Sequence, residues 1–181
     1  MDNPNQAQDA FWNEFVQLKA DVSYVRAYRD ELGRYVTGVA TVRAIASSAS
    51  IGAWVIWKQY AFLWATLIAL AQVSDALKNV FPFAKRRAAL SRWVRKLDLL
   101  FVASQKDWDD IAAGILTEEQ IRKIVHRLRM TKLNAEAKYI PDGLSRREDL
   151  FRSAEMEAIR FFQVKYGLII EEERPNELTK G

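Results

Sequence analysis

The chain has 181 residues, with 27 Lys and Arg against 23 Asp and Glu, a formal net charge of +4 and no cysteine. Without cysteine there is no disulfide framework and no thiolate metal site, and the polar, acidic start MDNPNQAQDA has no basic and apolar regions of a cleavable signal. Half of the residues are apolar while mean hydropathy is slightly polar, so the apolar residues are concentrated: charges are dense over 9–34 and 75–173 and nearly absent between.

Seven glycines, four prolines and no alternating polar pattern predict an all-α fold. The first helix is expected over 9–35. Phe11, Phe15, Leu18, Val22, Val25, Leu32 and Val36 recur at alternating spacings of four and three, with Arg29 interrupting the row. That is the seam of a helix packed nearly parallel to its neighbours.

Residues 44–74 then carry one charge, Lys58. The uncharged runs on either side, 44–57 and 59–74, have 14 and 16 residues, each short of the ~20 needed to cross ~30 Å of hydrocarbon. Four features nonetheless predict a transmembrane hairpin over 35–81. Lys58 and Gln59 form a tip among Trp54, Trp57, Tyr60 and Trp64, residue types that gather at the membrane–water interface. Arg34 lies before the hairpin, and Lys78, Lys85, Arg86, Arg87, Arg92, Arg95 and Lys96 follow with no acid over 76–97, which places both ends in the cytoplasm. The Ala, Ser and Gly of the first run let helices approach closely in lipid. Extending the spans to 35–57 and 60–81 gives a crossing length and takes in Arg43 in the first and Asp75 and Lys78 in the second; antiparallel packing sets Arg43 and Asp75 at similar depth, and pairing or a wet lumen would offset their cost in lipid. The competing reading is a soluble bundle with a central apolar hairpin.

Beyond the hairpin, a helix is expected over 83–113, with Leu90, Trp93, Leu97, Leu100, Ser104, Trp108 and Ile111 on one face and Gly114 as its stop. Thr117 and Gln120 form a capping box opening a helix that turns Ile121, Ile124, Leu128 and Leu133 inward and ends near Tyr139. Pro141, Asp142 and Gly143 signal a turn. Ser145 and Glu148 read as a second capping box, opening a helix with Leu150, Phe151, Ala154, Ala158, Ile159 and Phe162 inward before Gly167. The expected organisation is thus an N-terminal amphipathic cytoplasmic helix over 1–34, the transmembrane hairpin over 35–81 and a cytoplasmic helical domain over 82–181.

Motifs for catalysis are missing: there is no HExxH, glycine-rich phosphate loop or nucleophile elbow, and the one histidine, His126, has no evident partner. Neither an enzyme, a cofactor nor a metal is expected; Asp107, Asp109 and Asp110 read as a solvated helix face. Pore chemistry has more to stand on. Two spans cannot enclose a water path, so a channel requires several copies. Thr37, Thr41, Arg43, Ser47, Ser48, Ser50, Gln72, Ser74 and Asp75 are the candidates for its lining or gate, the alternative being that the hydroxyls bond back to their own helix. A second candidate site is the run from Ile121 to Lys132, where Arg122, Lys123, Arg127, Arg129 and Lys132 follow one another without an acid. These cations suit the phosphates of a nucleotide, an oligonucleotide or anionic lipid; the alternative is a solvated face. The basic residues over 83–96, with Trp93, read as an anchor to anionic headgroups.

The order of parts from Phe11 to Tyr166, an amphipathic cytoplasmic helix, a two-span hairpin with a minimal outer loop and long cytoplasmic helices, resembles the SLATT family of small prokaryotic two-transmembrane proteins. The resemblance implies an antiphage effector of the bacterial inner membrane, multi-pass with both termini cytoplasmic, that assembles as a homo-oligomer, a tetramer being the first expectation. It implies a pore that disrupts the membrane when opened by a nucleotide or oligonucleotide from a paired nucleotidyltransferase. A non-conducting membrane-anchored adaptor and a soluble basic helical nucleic-acid-binding protein are the rival expectations.

Overall fold

The four–three seam of the N-terminal segment becomes the spine of the molecule. In a computed structural model that describes residues 6–48, six positions between 62 and 73, and 83–167, the seam folds as one helix, α1 (Gln6–Ser48). At 1.5 Å per residue its 43 residues extend about 65 Å. Three more helices follow: α2 (Phe83–Ala112), α3 (Glu118–Tyr139) and α4 (Glu148–Tyr166). Among the described residues the chain is all-α.

α1 packs against all three other helices, and α2 also packs against α3. Phe11, Phe15, Leu18, Val22 and Val25 of the seam are buried, and Leu32 joins the core partly exposed. Onto this stripe α2 sets Leu90, Trp93, Val94, Leu97, Phe101 and Ile111. The centre is aromatic. Phe15 lies 5.1 Å from Phe101 and 5.0 Å, edge-on, from Phe162 of α4, while Trp12 lies 4.5 Å from Trp108 and 5.1 Å from Phe162. Offset and edge-on pairs at such spacings add to what area burial alone supplies. Lys19 runs over the Phe161 ring at 5.1 Å and pairs with Glu157 at 3.1 Å, closing α4 onto α1.

α1 does not break at Tyr35, where the charge-poor segment begins. Gly33 is the last buried one among its described residues, and the Arg87 guanidinium of α2 crosses it so closely that an added Cβ would stand 3.0 Å from Nε. Beyond that crossing Tyr35, Thr37, Gly38, Ala40, Thr41 and Ala44 are exposed. No helix among the described residues is long and apolar enough to cross a membrane. Of the expected spans 35–57 and 60–81, the description reaches residues 35–48 of the first and Phe62, Ala65, Thr66, Ala69, Gln72 and Val73 of the second, which are helical and exposed.

Several local expectations hold. Thr117 Oγ1 accepts from Gln120 N at 3.4 Å and Gln120 Oε1 from Thr117 N at 2.8 Å, a complete capping box for α3. α2 stops before Gly114, whose φ of +70° is the left-handed conformation glycine adopts freely. Three expectations fail. Ile159, expected inward on α4, is 36% exposed, because the buried row of that helix is Ala154, Ala158 and Phe162. Leu133 is 58% exposed, because the inward row of α3 is Ile121, Val125, Leu128, Lys132 and Ala135, with a lysine at the position an apolar residue would take. Ser145 does not cap α4. The helix starts at Glu148 behind Arg147, which has no side-chain cap, since the backbone around Ser145 is engaged by α1.

Phe15→Ala removes the ring shared by three helices and is expected to cost roughly 3–5 kcal/mol of stability, read as a shift in the denaturant midpoint; an unshifted midpoint would contradict this core. Glu157 gives a pH signature. Partial burial pushes its carboxyl up, but the neighbouring Ser23 hydroxyl and Lys19 ammonium outweigh this and hold it below the usual carboxylate range. A depressed carboxyl stabilises the fold above its unfolded pKa, and the contribution is lost as pH falls through the folded value. Glu157→Gln should therefore lower the thermal midpoint at neutral pH and make little difference at pH 3.

Candidate functional site

The pore candidates divide between described and undescribed positions. Thr37 and Thr41 lie on the exposed part of α1, and the Thr41 hydroxyl donates to the Thr37 carbonyl oxygen at 3.0 Å. Arg43, Ser47 and Ser48 are on α1 by their backbone, their side chains lying outside the described residues, as do Ser50, Ser74 and Asp75 altogether; the expected Arg43–Asp75 pair falls there too. Gln72 is helical and exposed.

The basic run of α3 is described in full, and its cations are partnered. Arg122 pairs with Glu118 at 3.1 Å and Lys123 with Glu119 at 2.6 Å, one turn back on the same helix. Arg127 reaches Asp107 of α2 at 3.4 Å, whereas Arg129 reaches Glu14 of α1 at 2.7 Å and Lys132 reaches Asp21 at 2.5 Å. At 100° per residue the five spread around the helix instead of forming one stripe, and the last three flank the buried row as ties to two neighbours. Exposed pairs such as Arg122–Glu118 are worth under about 1 kcal/mol, so breaking them costs little. Lys132, with its side chain 21% exposed against Asp21 at 29%, is less available.

The connection from α3 to α4 was not singled out by sequence, yet it gathers polar contacts from three helices. Pro141 and Asp142 make a turn closed by Gly143 N donating to Ile140 O at 2.9 Å. The Tyr24 hydroxyl of α1 donates to Ser145 O at 3.3 Å and accepts from Arg147 N at 3.1 Å. The Arg147 guanidinium spans Asp149 at 2.8 Å and Glu31 of α1 at 3.1 Å, and Arg86, in the first turn of α2, donates to Gly143 O at 3.0 Å. Arg147 in turn holds the Asp149 carboxyl below its usual range. The loop is thereby strapped across α1 and α2 near the end at which both approach the apolar segment.

Beneath the strap lies a cavity of about 250 Å³. Tyr24 and Asp21 of α1, Trp93 of α2, Lys132 and Glu136 of α3, and Arg146 and Phe151 line it. Trp93 is 7% exposed and its indole N–H is buried without a hydrogen-bond partner. A second cavity of about 230 Å³ sits nearer the apolar segment, between Tyr28, Glu31, Tyr35, Phe83 and Arg147. Among the described residues no cluster of His, Asp and Glu has the arrangement of a metal site. No family model, curated protein or solved structure matches the chain.

Tyr24→Phe leaves the ring and removes both contacts of its hydroxyl. It is expected to cost about 1 kcal/mol and to raise amide exchange at Arg147 while the amides of 11–22 stay protected. Unchanged exchange at Arg147 would show that Tyr24 does not hold the strap.

Proposed function

We propose that the chain is one subunit of a homo-oligomeric membrane pore, with a two-span hairpin over 35–81 and a cytoplasmic bundle, built from 6–33 and 83–167, that receives a phosphate-bearing signal. The carrying observation is the course of α1. It runs past Gly33 as helix to Ser48, uncharged from Tyr35 to Val42 between Arg34 and Arg43, and with most of its described side chains beyond Gly33 exposed. An uncharged stretch with bare faces needs lipid or neighbouring helices to cover it. Tyr35 of α1 and Phe83 of α2 meet at 5.4 Å, so the two ends of the apolar segment are held side by side, as the base of a hairpin requires. The basic residues around that base, Arg34, Lys85 and Arg87, are exposed and suit anionic headgroups on the cytoplasmic side.

On this reading Thr37, Thr41, Arg43, Ser47, Ser50, Gln72 and Asp75 supply the lining or gate, and Arg122, Lys123, Arg127, Arg129 and Lys132 meet the phosphates of a nucleotide or oligonucleotide. The resemblance to the SLATT proteins supports an antiphage role at the bacterial inner membrane, with the signal made by a paired nucleotidyltransferase. One observation favours a second reading, an anchor that recruits a partner without conducting. The Thr41 hydroxyl, and likewise that of Thr66, which donates to Phe62 O at 2.9 Å, are turned to their own helix backbone, as in spans that only pack.

The purified oligomer should conduct across planar bilayers, with opening or closure on addition of nucleotide; an oligomer that never conducts leaves the anchor. Recovery of the chain in the soluble cell fraction without detergent would overturn both. For the signal site, neutralisation is cleaner than charge reversal, because Glu at position 129 would face Glu14 and at 127 would face Asp107. Arg122→Gln, Arg127→Gln and Arg129→Gln together should abolish nucleotide regulation with assembly intact, and unchanged nucleotide binding in that triple variant would remove the assignment.

A further inference from the structure

We infer that the bundle binds a second copy of this chain head to tail, the outward face of α3 on one copy lying antiparallel against the outward face of α4 on the next. The contact deepens the reading of the chain as a homo-oligomer in one membrane, and rests on it. The two faces match in pattern. His126, Met130, Leu133 and Ala137 stand exposed along α3 at spacings of four, three and four, turned away from the buried Ile121, Val125, Leu128 and Ala135. Arg152, Met156, Ile159 and Gln163 stand exposed along α4 at the same spacings, away from Ala154, Ala158 and Phe162. That is the repeat of a helix packed along a second helix. At the centres of the strips Met130, Leu133 and Met156 are 43%, 58% and 64% exposed, so each strip lacks its cover within one copy.

The placement of the strips makes them each other's partner. α3 is tied to Glu14 and Asp21 of α1, and α4 to Lys19. Lys19 comes five residues after Glu14 and two before Asp21, so at about 100° per residue it points about 140° and 160° away from them. α3 and α4 therefore flank α1 on opposite sides, the arrangement that joins copies head to tail and closes a ring. Copies standing in one membrane share one orientation, and α3 runs toward the strap while α4 runs from it, so α3 meets its neighbour's α4 antiparallel. With the strap-joined ends level, the α3 strip stands 2, 6, 9 and 13 residues from Tyr139 and the α4 strip 4, 8, 11 and 15 from Glu148, so the two sets alternate. Charge selects the same pairing. α3 begins with Glu118 and Glu119 and ends with Lys138, and α4 begins with Glu148 and Asp149 and ends with Lys165. The antiparallel contact sets acid against base at both ends, where two α3 helices side by side would set like against like. The strip over 126–137 is only about 16 Å long, far short of a stable interface on its own, so it acts between copies already gathered by their membrane segments.

The chain has no cysteine, so thiols introduced at the contact report it without background. The test uses the full chain in the cell fraction where it is recovered, a short bifunctional maleimide, and light scattering of the untreated protein. Leu133→Cys and Met156→Cys together in one chain should give a ladder of dimers, trimers and higher products, because each copy then offers one thiol to either neighbour. Each substitution alone should give no covalent product. Both positions are exposed, so neither disturbs the core. Met130→Asp, added to the double variant, sets a carboxylate in the apolar centre of the contact and should cut the ladder about tenfold. Dimers from either single variant overturn the head-to-tail arrangement in favour of a two-fold contact. A ladder as strong from Leu133→Cys with Leu99→Cys, on the exposed face of α2, overturns the choice of α4, and an undiminished ladder with Met130→Asp overturns the strip. An oligomer by light scattering that gives no ladder overturns this interface and leaves the homo-oligomer standing, whereas a monomer by light scattering overturns both.

Discussion

The structure depends on one helix having two surroundings. Over its first 28 residues, 6–33, α1 is the common partner of α2, α3 and α4, and its four–three seam is buried against them. Past Gly33 the same helix continues with apolar and hydroxylated residues facing outward. A helix propagates far more readily than it nucleates, so once the bundle fixes its first half the second half inherits its direction. The direction of residues 35–48 is thus set by packing many residues away, with no break in the helix between them.

Charges are used here as fasteners between elements. Arg129–Glu14, Lys132–Asp21, Arg127–Asp107, Arg26–Asp98 and Lys19–Glu157 each join two helices. Individually such partly exposed pairs contribute little to stability. Their effect is on register: Lys132 within the inward row of α3 is satisfied where it meets Asp21, and sliding α3 by a turn would leave a half-buried ammonium without its partner. The aromatic centre around Phe15 holds the helices together, and the pairs fix where along one another they sit.

Much of this was legible in the residues. The α1 seam, the inward face of α2 around Leu90, Leu97 and Ile111, the Thr117 cap and the stops at Gly114 and Gly167 follow from spacing and from local hydrogen-bonding chemistry, which act within one turn. What escaped has a tertiary cause. Leu133 ranks as inward by hydropathy, but the row of α3 is fixed by a lysine whose acid lies more than a hundred residues away on α1. Ser145 has the sequence of a cap, yet Tyr24 takes the backbone at Ser145 and Arg147 and delays the helix to Glu148. The basic run of α3 reads as unpaired because the acids of Arg127, Arg129 and Lys132, namely Asp107, Glu14 and Asp21, are on other helices, while Glu118 and Glu119 stand just before the run. The cavity was invisible for the same reason: Trp93 was read as core and as an anchor, and an unpaired indole N–H is a property of its neighbours. The apolar segment, the most conspicuous feature of the sequence, falls largely outside the described residues, so its pairing of Arg43 with Asp75 rests on sequence alone.

The strap relates these parts to one another. Its backbone is held by Tyr24 and Arg86, and its Arg147 by Glu31, so it touches α1 and the first turn of α2 just before both meet the apolar segment. Leu144 and Arg146 of the same connection line the cavity together with Trp93 and Glu136. The loop that lines the cavity is thus also the loop whose remaining contacts are to the two helices that carry the base of the apolar segment. For a ligand in that cavity to change the relation of α1 to α2, it must bind their two arrangements with different affinity. The cavity's walls come from α1, α2, α3 and the strap together, so a shift of α2 along α1 would move Trp93 relative to Tyr24 and reshape the slot between them.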